Sequence, residues 1–205
     1  MKFEPNNFYH IYNRGNNKQP ILFLKENYLF FLSKVRKHLS PLVDIIAYCL
    51  MPNHFHLMVY VPEKHSTRSA NLSCLENSHY EYDDKAINKN LGIILSSYTK
   101  AINNRYGKTG SLFQAHTKAK NVSKHQQQAF TCFHYIHQNP LKATLVNKME
   151  DWEFSSYQDY LGIRNGTLCN KQLAFELLDI PQEPDLFQNQ AKAVIINSNK
   201  KAFIF

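Results

Sequence analysis

Two histidines one residue apart carry the strongest chemical signal in the chain: His54 and His56 in Met51-Pro52-Asn53-His54-Phe55-His56-Leu57-Met58-Val59-Tyr60. The stretch predicts a β-strand, and alternate strand residues point to the same face. His54 and His56 then project together, while Phe55, Leu57 and Val59 turn the other way into a core. Two imidazoles on one sheet face make half of a metal site, although the same spacing also suits strand histidines with no ligand role. Far downstream, Tyr135 and Asn139 share a helix face if the last turn stays helical. A tyrosine phenol, with a pKa of about 10, is a poor nucleophile at neutral pH. It attacks phosphorus when a cation neutralises the phosphate and stabilises the leaving oxygen. Two imidazoles and an amide oxygen would hold a divalent ion with positions left open for phosphate oxygens. That mixed set suits manganese or magnesium, with zinc, cobalt or nickel also compatible. Tyr135 also reads as an ordinary amphipathic tyrosine at a helix surface, and spacing alone favours that reading. His134 and His137 stand beside it as ligands or bases by type, and are read as surface or phosphate-contacting residues.

The elements that must position these groups follow from periodicity. Residues 8–13 predict a strand ending at the turn signal Asn13-Arg14-Gly15, and residues 24–39 a helix stopped by Pro41. The apolar run 44–50 predicts a central strand that turns through Met51-Pro52-Asn53 into the histidine strand. Residues 62–85 are mixed and polar and predict a surface loop. Ile87, Leu91, Ile94, Leu95, Tyr98 and Ile102 predict a second helix that stops near Gly107. Residues 112–122 predict another strand with Lys118 and Lys120 on one face, and Ser123 caps a third helix over 124–138. Asn139-Pro140 ends it, because the residue before proline avoids the helical region. Strand, helix, strand, strand, helix, strand is the split βαββαβ, ferredoxin-like order. The fold class is therefore α+β: an antiparallel sheet with helices on one face, a further helix bearing Tyr135, and a helical appendage. The predicted organisation is a domain over 1–160 and the appendage over 161–205, with one more helix over 170–178. The tail 200–205 reads as a docked segment or a partner contact.

A chain of 205 residues with 43% hydrophobic residues and six glycines is globular, and long enough for a sizeable core. The net charge of +8 and pI of about 9.2 suggest an acidic partner, most often nucleic acid. Twelve tyrosines and fourteen phenylalanines exceed the needs of the core, so some are available to stack on bases. Cys49, Cys74, Cys132 and Cys169 form no C-x-x-C pair, and Cys49 and Cys132 predict buried thiols rather than a disulfide framework. The opening residues lack a signal-peptide segment and no run reaches the length of a membrane span, so a cytoplasmic protein with no membrane partner is expected.

Pro52-Asn53-His54-Phe55-His56, followed by Tyr135-Ile136-His137-Gln138-Asn139-Pro140, resembles the single-tyrosine HUH transposase family, which comprises insertion-sequence transposases and REP-associated tyrosine transposases. Tyr9-His10-Ile11-Tyr12-Asn13-Arg14-Gly15, Gly110-Ser111-Leu112-Phe113-Gln114 and Trp152-Glu153-Phe154-Ser155-Ser156-Tyr157 match as well, over roughly residues 5–160. The spacing of Tyr135, Asn139 and Pro140 is nearer the REP-associated branch. The resemblance implies a ferredoxin-like nuclease core acting on single-stranded hairpin DNA with a divalent ion and no nucleotide cofactor. It implies His54, His56 and Asn139 as metal ligands. Tyr135 would be the nucleophile, leaving a 5′-phosphotyrosine and a free 3′-hydroxyl. Insertion-sequence members form homodimers with exchanged tyrosine helices while REP-associated members act as monomers, and the length of residues 122–138 permits either.

Relatives usually carry an arginine after the Phe-Gln pair, whereas this chain reads Phe113-Gln114-Ala115-His116-Thr117-Lys118, so Lys118, or His116 at lower pH only, would take that contact. Arg14, Lys100, Arg105, Lys108, Lys118, Lys120 and Lys142 are the candidate phosphate contacts, which position a strand without reading it. Two alternatives stand beside the transposase reading. One is a catalytically silent nucleic-acid-binding module. The other is a metal-dependent phosphohydrolase in which Tyr135 is incidental.

Overall fold

The computed structural model describes residues 1–66, 79–81 and 83–198. Its elements run β1 (Asn7–Arg14), α1 (Lys25–His38), β2 (Asp44–Met51), β3 (His54–Val61), β4 (Lys64–Ser66), β5 (His79–Glu81), α2 (Asp84–Tyr106), β6 (Lys118–Asn121), α3 (Gln126–Lys142), α4 (Tyr157–Tyr160), α5 (Lys171–Leu178) and α6 (Pro184–Ser198). Four strands form one antiparallel sheet in the order β2-β3-β1-β6. This is the strand order of the split βαββαβ fold, as the periodicity predicts.

Alternation along β3 sends Phe55 to one side and His56 to the other. Phe55 packs on Phe31 of α1 with ring centroids 5.0 Å apart, and Phe31 meets Tyr98 of α2 at 5.3 Å. Phe113 closes this aromatic cluster from the segment before β6. Each such ring stabilises the fold by about 1.5–3 kcal/mol on burial, so α1 and α2 are seated firmly on the Phe55 face. Asp83 caps α2 by accepting from the Lys85 amide at 2.8 Å, and Gly107 ends it in the left-handed region that glycine adopts without strain.

The opposite face is half covered. There α3 crosses β2 and β3 and buries Ala129, Cys132, Phe133 and Ile136, and α4 and α6 close over it. Residues 161–198 are packed into this second layer: Phe187 and Ala191 of α6 are fully buried, and the Asn170 amide donates to Ile45 O of β2 at 2.8 Å. Cys49 and Cys132 are buried free thiols, as expected.

Four expectations need correction. The surface loop over 62–85 begins and ends as a two-stranded ribbon, with Lys64 to Ser66 paired antiparallel to Glu81 to His79; residues 67–78 and 82 lie outside the described residues. The strand expected over 112–122 is regular only at Lys118–Asn121; before it, Phe113 makes an isolated bridge with Gly15. Ser123 does not cap α3, whose N-cap is His125; its Oγ instead accepts from the Phe8 amide at 2.6 Å and closes the start of β1. Finally, α3 runs through Pro140 to Lys142. The proline removes one hydrogen bond near the end of the helix, and Asn139 Nδ2 partly compensates by donating to Tyr135 O at 2.8 Å and Ile136 O at 3.5 Å. The tail 200–205 lies outside the described residues.

Candidate functional site

Register places the chemistry. Tyr12 is opposite His56 and Arg14 opposite His54 across β1 and β3; Lys118 is opposite Tyr12 and Lys120 opposite His10 across β1 and β6. Directly paired residues share a face, so His10, Tyr12, Arg14, His54, His56, Lys118 and Lys120 all stand on the side away from α1 and α2. Tyr135 reaches the same place from α3. Its ring centroid is 5.7 Å from that of His56 and 6.1 Å from that of His10, and the His54 and His56 rings are 4.9 Å apart. A cavity of about 390 Å³ opens here, lined among others by Tyr12, Arg14, His54, His56, His116, Lys118 and Tyr135.

Both candidate imidazole ligands are held from behind. His54 Nδ1 lies 2.6 Å from Asn53 Oδ1, which can only accept, so the proton of a neutral His54 sits on Nδ1 and Nε2 carries the lone pair. His56 Nδ1 lies 2.8 Å from His10 Nε2, so its Nε2 takes no part in that contact. Burial, aided by Arg14, lowers the pKa of His54 to about 4; burial next to His10 and His54 drives His56 well below the ordinary value. Both are therefore neutral at pH 7, the state in which imidazole ligates. Burial also raises the Tyr135 phenol to about 12, against a side-chain hydrogen bond with Asn139 that pulls it down.

Asn139 does not line the cavity. Its Nδ2 is turned into the carbonyls of its own helix, and its side chain also hydrogen-bonds the Tyr135 phenol. Among the described residues no group of three or more His, Cys, Asp or Glu side chains could hold a metal. On the cavity itself, nitrogen donors of a suitable type include the imidazoles of His54 and His56.

The rim is built from the turn after β1. The Gly15 amide donates to Asn53 O at 2.8 Å, and a Cβ at Gly15 would collide with Gln19 O, so only glycine lets this turn fold beside the histidine strand. Asn13 Nδ2 donates to Gln114 O at 3.1 Å and Thr117 Oγ1 at 2.9 Å, which ties the segment bearing His116 and Lys118 to the end of β1. Of the other cations, exposed Lys120 lies on the same sheet face and Lys142 Nζ sits 5.3 Å from the Tyr135 ring centroid. Lys100, Arg105 and Lys108 belong to α2 or its end, on the far side of the sheet, with Lys108 Nζ 4.8 Å from the Phe23 ring.

His134 and His137 are not the surface or phosphate-contacting residues expected. Both are fully buried beneath α4 and α6, with His137 Nε2 2.7 Å from Ser156 Oγ and His134 Nε2 3.2 Å from Gln190 Oε1. Sequence reasoning assigned no role to His10, Tyr12 or Asn53. Their signal is strand alternation on β1 and adjacency to His54, which become informative once β1 is known to neighbour β3.

Neither a family model nor a curated protein matches the chain. Among solved structures, it is similar to a REP-associated tyrosine transposase bound to a REP hairpin, with a TM-score of 0.57 and 15% identity over 79% of this chain and 83% of that one. It is also similar to a bacterial tRNA(His) guanylyltransferase-like protein in complex with GTP, with a TM-score of 0.45 and 10% identity over 71% and 67% of the two chains. The first likeness establishes the fold. Among the described residues no helix is long and apolar enough to cross a membrane.

Proposed function

We propose that the chain is a single-strand DNA endonuclease and strand transferase that links Tyr135 covalently to a 5′-phosphate of hairpin DNA. One observation carries this reading. Tyr135 and the His54–His56 pair meet on one cavity of one chain, with the Tyr135 and His56 ring centroids 5.7 Å apart. A binding module would need cations and aromatic faces but not that juxtaposition. The shared fold with a transposase bound to a REP hairpin supports a hairpin substrate.

The DNA strand follows the cations of the cavity face: Arg14, Lys118, Lys120 and Lys142. Phosphate contacts of this kind hold register and carry no sequence information. His54 and His56 through Nε2, and Asn139 through Oδ1, would hold magnesium or manganese. When bound, the ion supplies charge neutralisation at the scissile phosphate. Tyr135, protonated at neutral pH, loses its proton as its oxygen attacks phosphorus. The P–O3′ bond breaks, the Tyr135 O–P bond forms, and the 3′-oxygen leaves as a hydroxyl carrying the balancing proton. The Lys142 ammonium places positive charge over the Tyr135 ring, 5.3 Å from its centroid. One phosphodiester is exchanged for another, so attack by a 3′-hydroxyl reverses the step and joins strands without a nucleotide cofactor. Tyr135 serves the histidines of its own chain, so no exchange of tyrosine helices between subunits is required.

Incubation with hairpin DNA bearing single-stranded flanks and Mn²⁺, followed by a denaturing gel, tests this. The expected result is a covalent adduct that falls by roughly a thousandfold or more in Tyr135→Phe. Cleavage that survives this substitution would mark a phosphohydrolase. Tight binding without cleavage in Mn²⁺ or Mg²⁺ would mark a binding module.

A further inference from the structure

We propose that His10 is a positioning residue: it accepts the Nδ1 proton of His56 and so holds the ring with Nε2 presented to the metal. This rests on the metal-site reading above. The observation is a buried pair of imidazoles in which His10 Nε2 lies 2.8 Å from His56 Nδ1, with ring centroids 5.0 Å apart and planes 27° from parallel. His10 is 1% exposed and His56 3%, so water does not compete for the contact.

A neutral imidazole has one N–H and one lone pair. If His10 Nε2 donates, His56 Nδ1 accepts, the proton of His56 sits on Nε2, and that nitrogen cannot ligate. If His56 Nδ1 donates, Nε2 is a ligand and the proton of His10 sits on its own Nδ1. The contact therefore couples the tautomers of two rings, and only one of the two states suits a metal. His54 needs no such coupling, because its partner, Asn53 Oδ1, can only accept. The two ligands are thus braced differently: His54 by the residue before it in the chain, His56 by a residue on the neighbouring strand. With Nε2 spent on His56, His10 stands outside the donor set. Outer partners of ligating histidines typically contribute 10–100-fold in metal affinity by fixing tautomer and orientation.

Two measurements test the proposal. Two-bond ¹⁵N–¹H correlation of the metal-free protein should show His56 protonated at Nδ1, and His10→Phe should remove that preference. Calorimetric titration with Mn²⁺ should show affinity falling about 10–100-fold in His10→Phe and returning to within about threefold in His10→Gln, whose amide oxygen can accept near the position of Nε2. Thermal melting and metal-free hairpin binding check that the variants fold; should His10→Phe fail, His10→Met against His10→Gln makes the same comparison. His56 protonated at Nε2 in the wild-type protein would overturn the proposal, as would unchanged Mn²⁺ affinity in a folded His10→Phe. A wild-type protein that binds no Mn²⁺ yet shows the Nδ1 proton on His56 would sink the metal reading and support the hold of His10 on the ring.

Discussion

His54 and His56 on β3 and His134 and His137 on α3 are two histidine pairs in one small protein, and they face different surroundings. The first pair lines a cavity with Arg14, His116, Lys118 and Tyr135. The second is enclosed: His134 by the rings of Phe130, Phe133 and Phe187, and His137 by Phe133, Tyr157 and Tyr160. Its contact to Ser156 joins a buried network in which the Tyr48 amide donates to Ser156 Oγ at 2.9 Å, and Arg164 bridges Asp159 at 2.6 Å and Tyr48 Oη at 2.9 Å. Burial lowers the pKa of all four imidazoles. A perturbed histidine is therefore no mark of function by itself. What separates the pairs is their surroundings: His54 and His56 line a cavity beside Tyr135, whereas His134 and His137 are enclosed by packed rings.

That contrast breaks most sharply under truncation. His54→Ala should remove Mn²⁺ binding and lower cleavage on the order of 100-fold or more while the melting temperature stays nearly constant. His137→Ala should cost about 2–4 kcal/mol of stability, read by urea unfolding, through the cavity it leaves and the loss of its hydrogen bond to Ser156. Its cleavage rate per folded molecule should be unchanged at low temperature. Equal effects on both properties in both variants would erase the distinction.

Acid should expose the buried pair next. Burial holds His134 at about 4, with the Gln190 hydrogen bond opposing, whereas the unfolded chain takes up that proton near 6.5. The unfolded state thus binds more protons between these values, and stability falls as pH drops from about 6.5 to 4. The melting temperature should fall by roughly 5–10 °C from this group, and His134→Phe should flatten that slope.

The smallest effect concerns the two faces of the sheet. Lys118→Ala should weaken hairpin binding and reduce the salt slope by about one, whereas Lys100→Ala on α2 should leave the slope unchanged. A matching loss in Lys100→Ala would extend the DNA path around the sheet edge.

The histidine strand was legible because its alternation is strict and its apolar partners, Phe55, Leu57 and Val59, leave one consistent face. The α1 and α2 helices were legible for the same reason at a period of 3.6. The segment before β6 was not, because side-chain bonds from Asn13 and one bridge at Phe113 hold it in place of a regular ladder. Burial of His134 and His137 depends on Phe187, which comes from a distant helix, and α4 is only four residues long, too short to show a period. His10 was visible as a residue but had no role until β1 was known to lie beside β3.

Mass spectrometry of the protein–DNA adduct after digestion of both polymers tests the central claim most directly. The account predicts one nucleotide phosphate esterified to the peptide carrying Tyr135. A phosphate on any other tyrosine, or hydrolysed DNA with an unmodified Tyr135 peptide throughout the reaction, would contradict it.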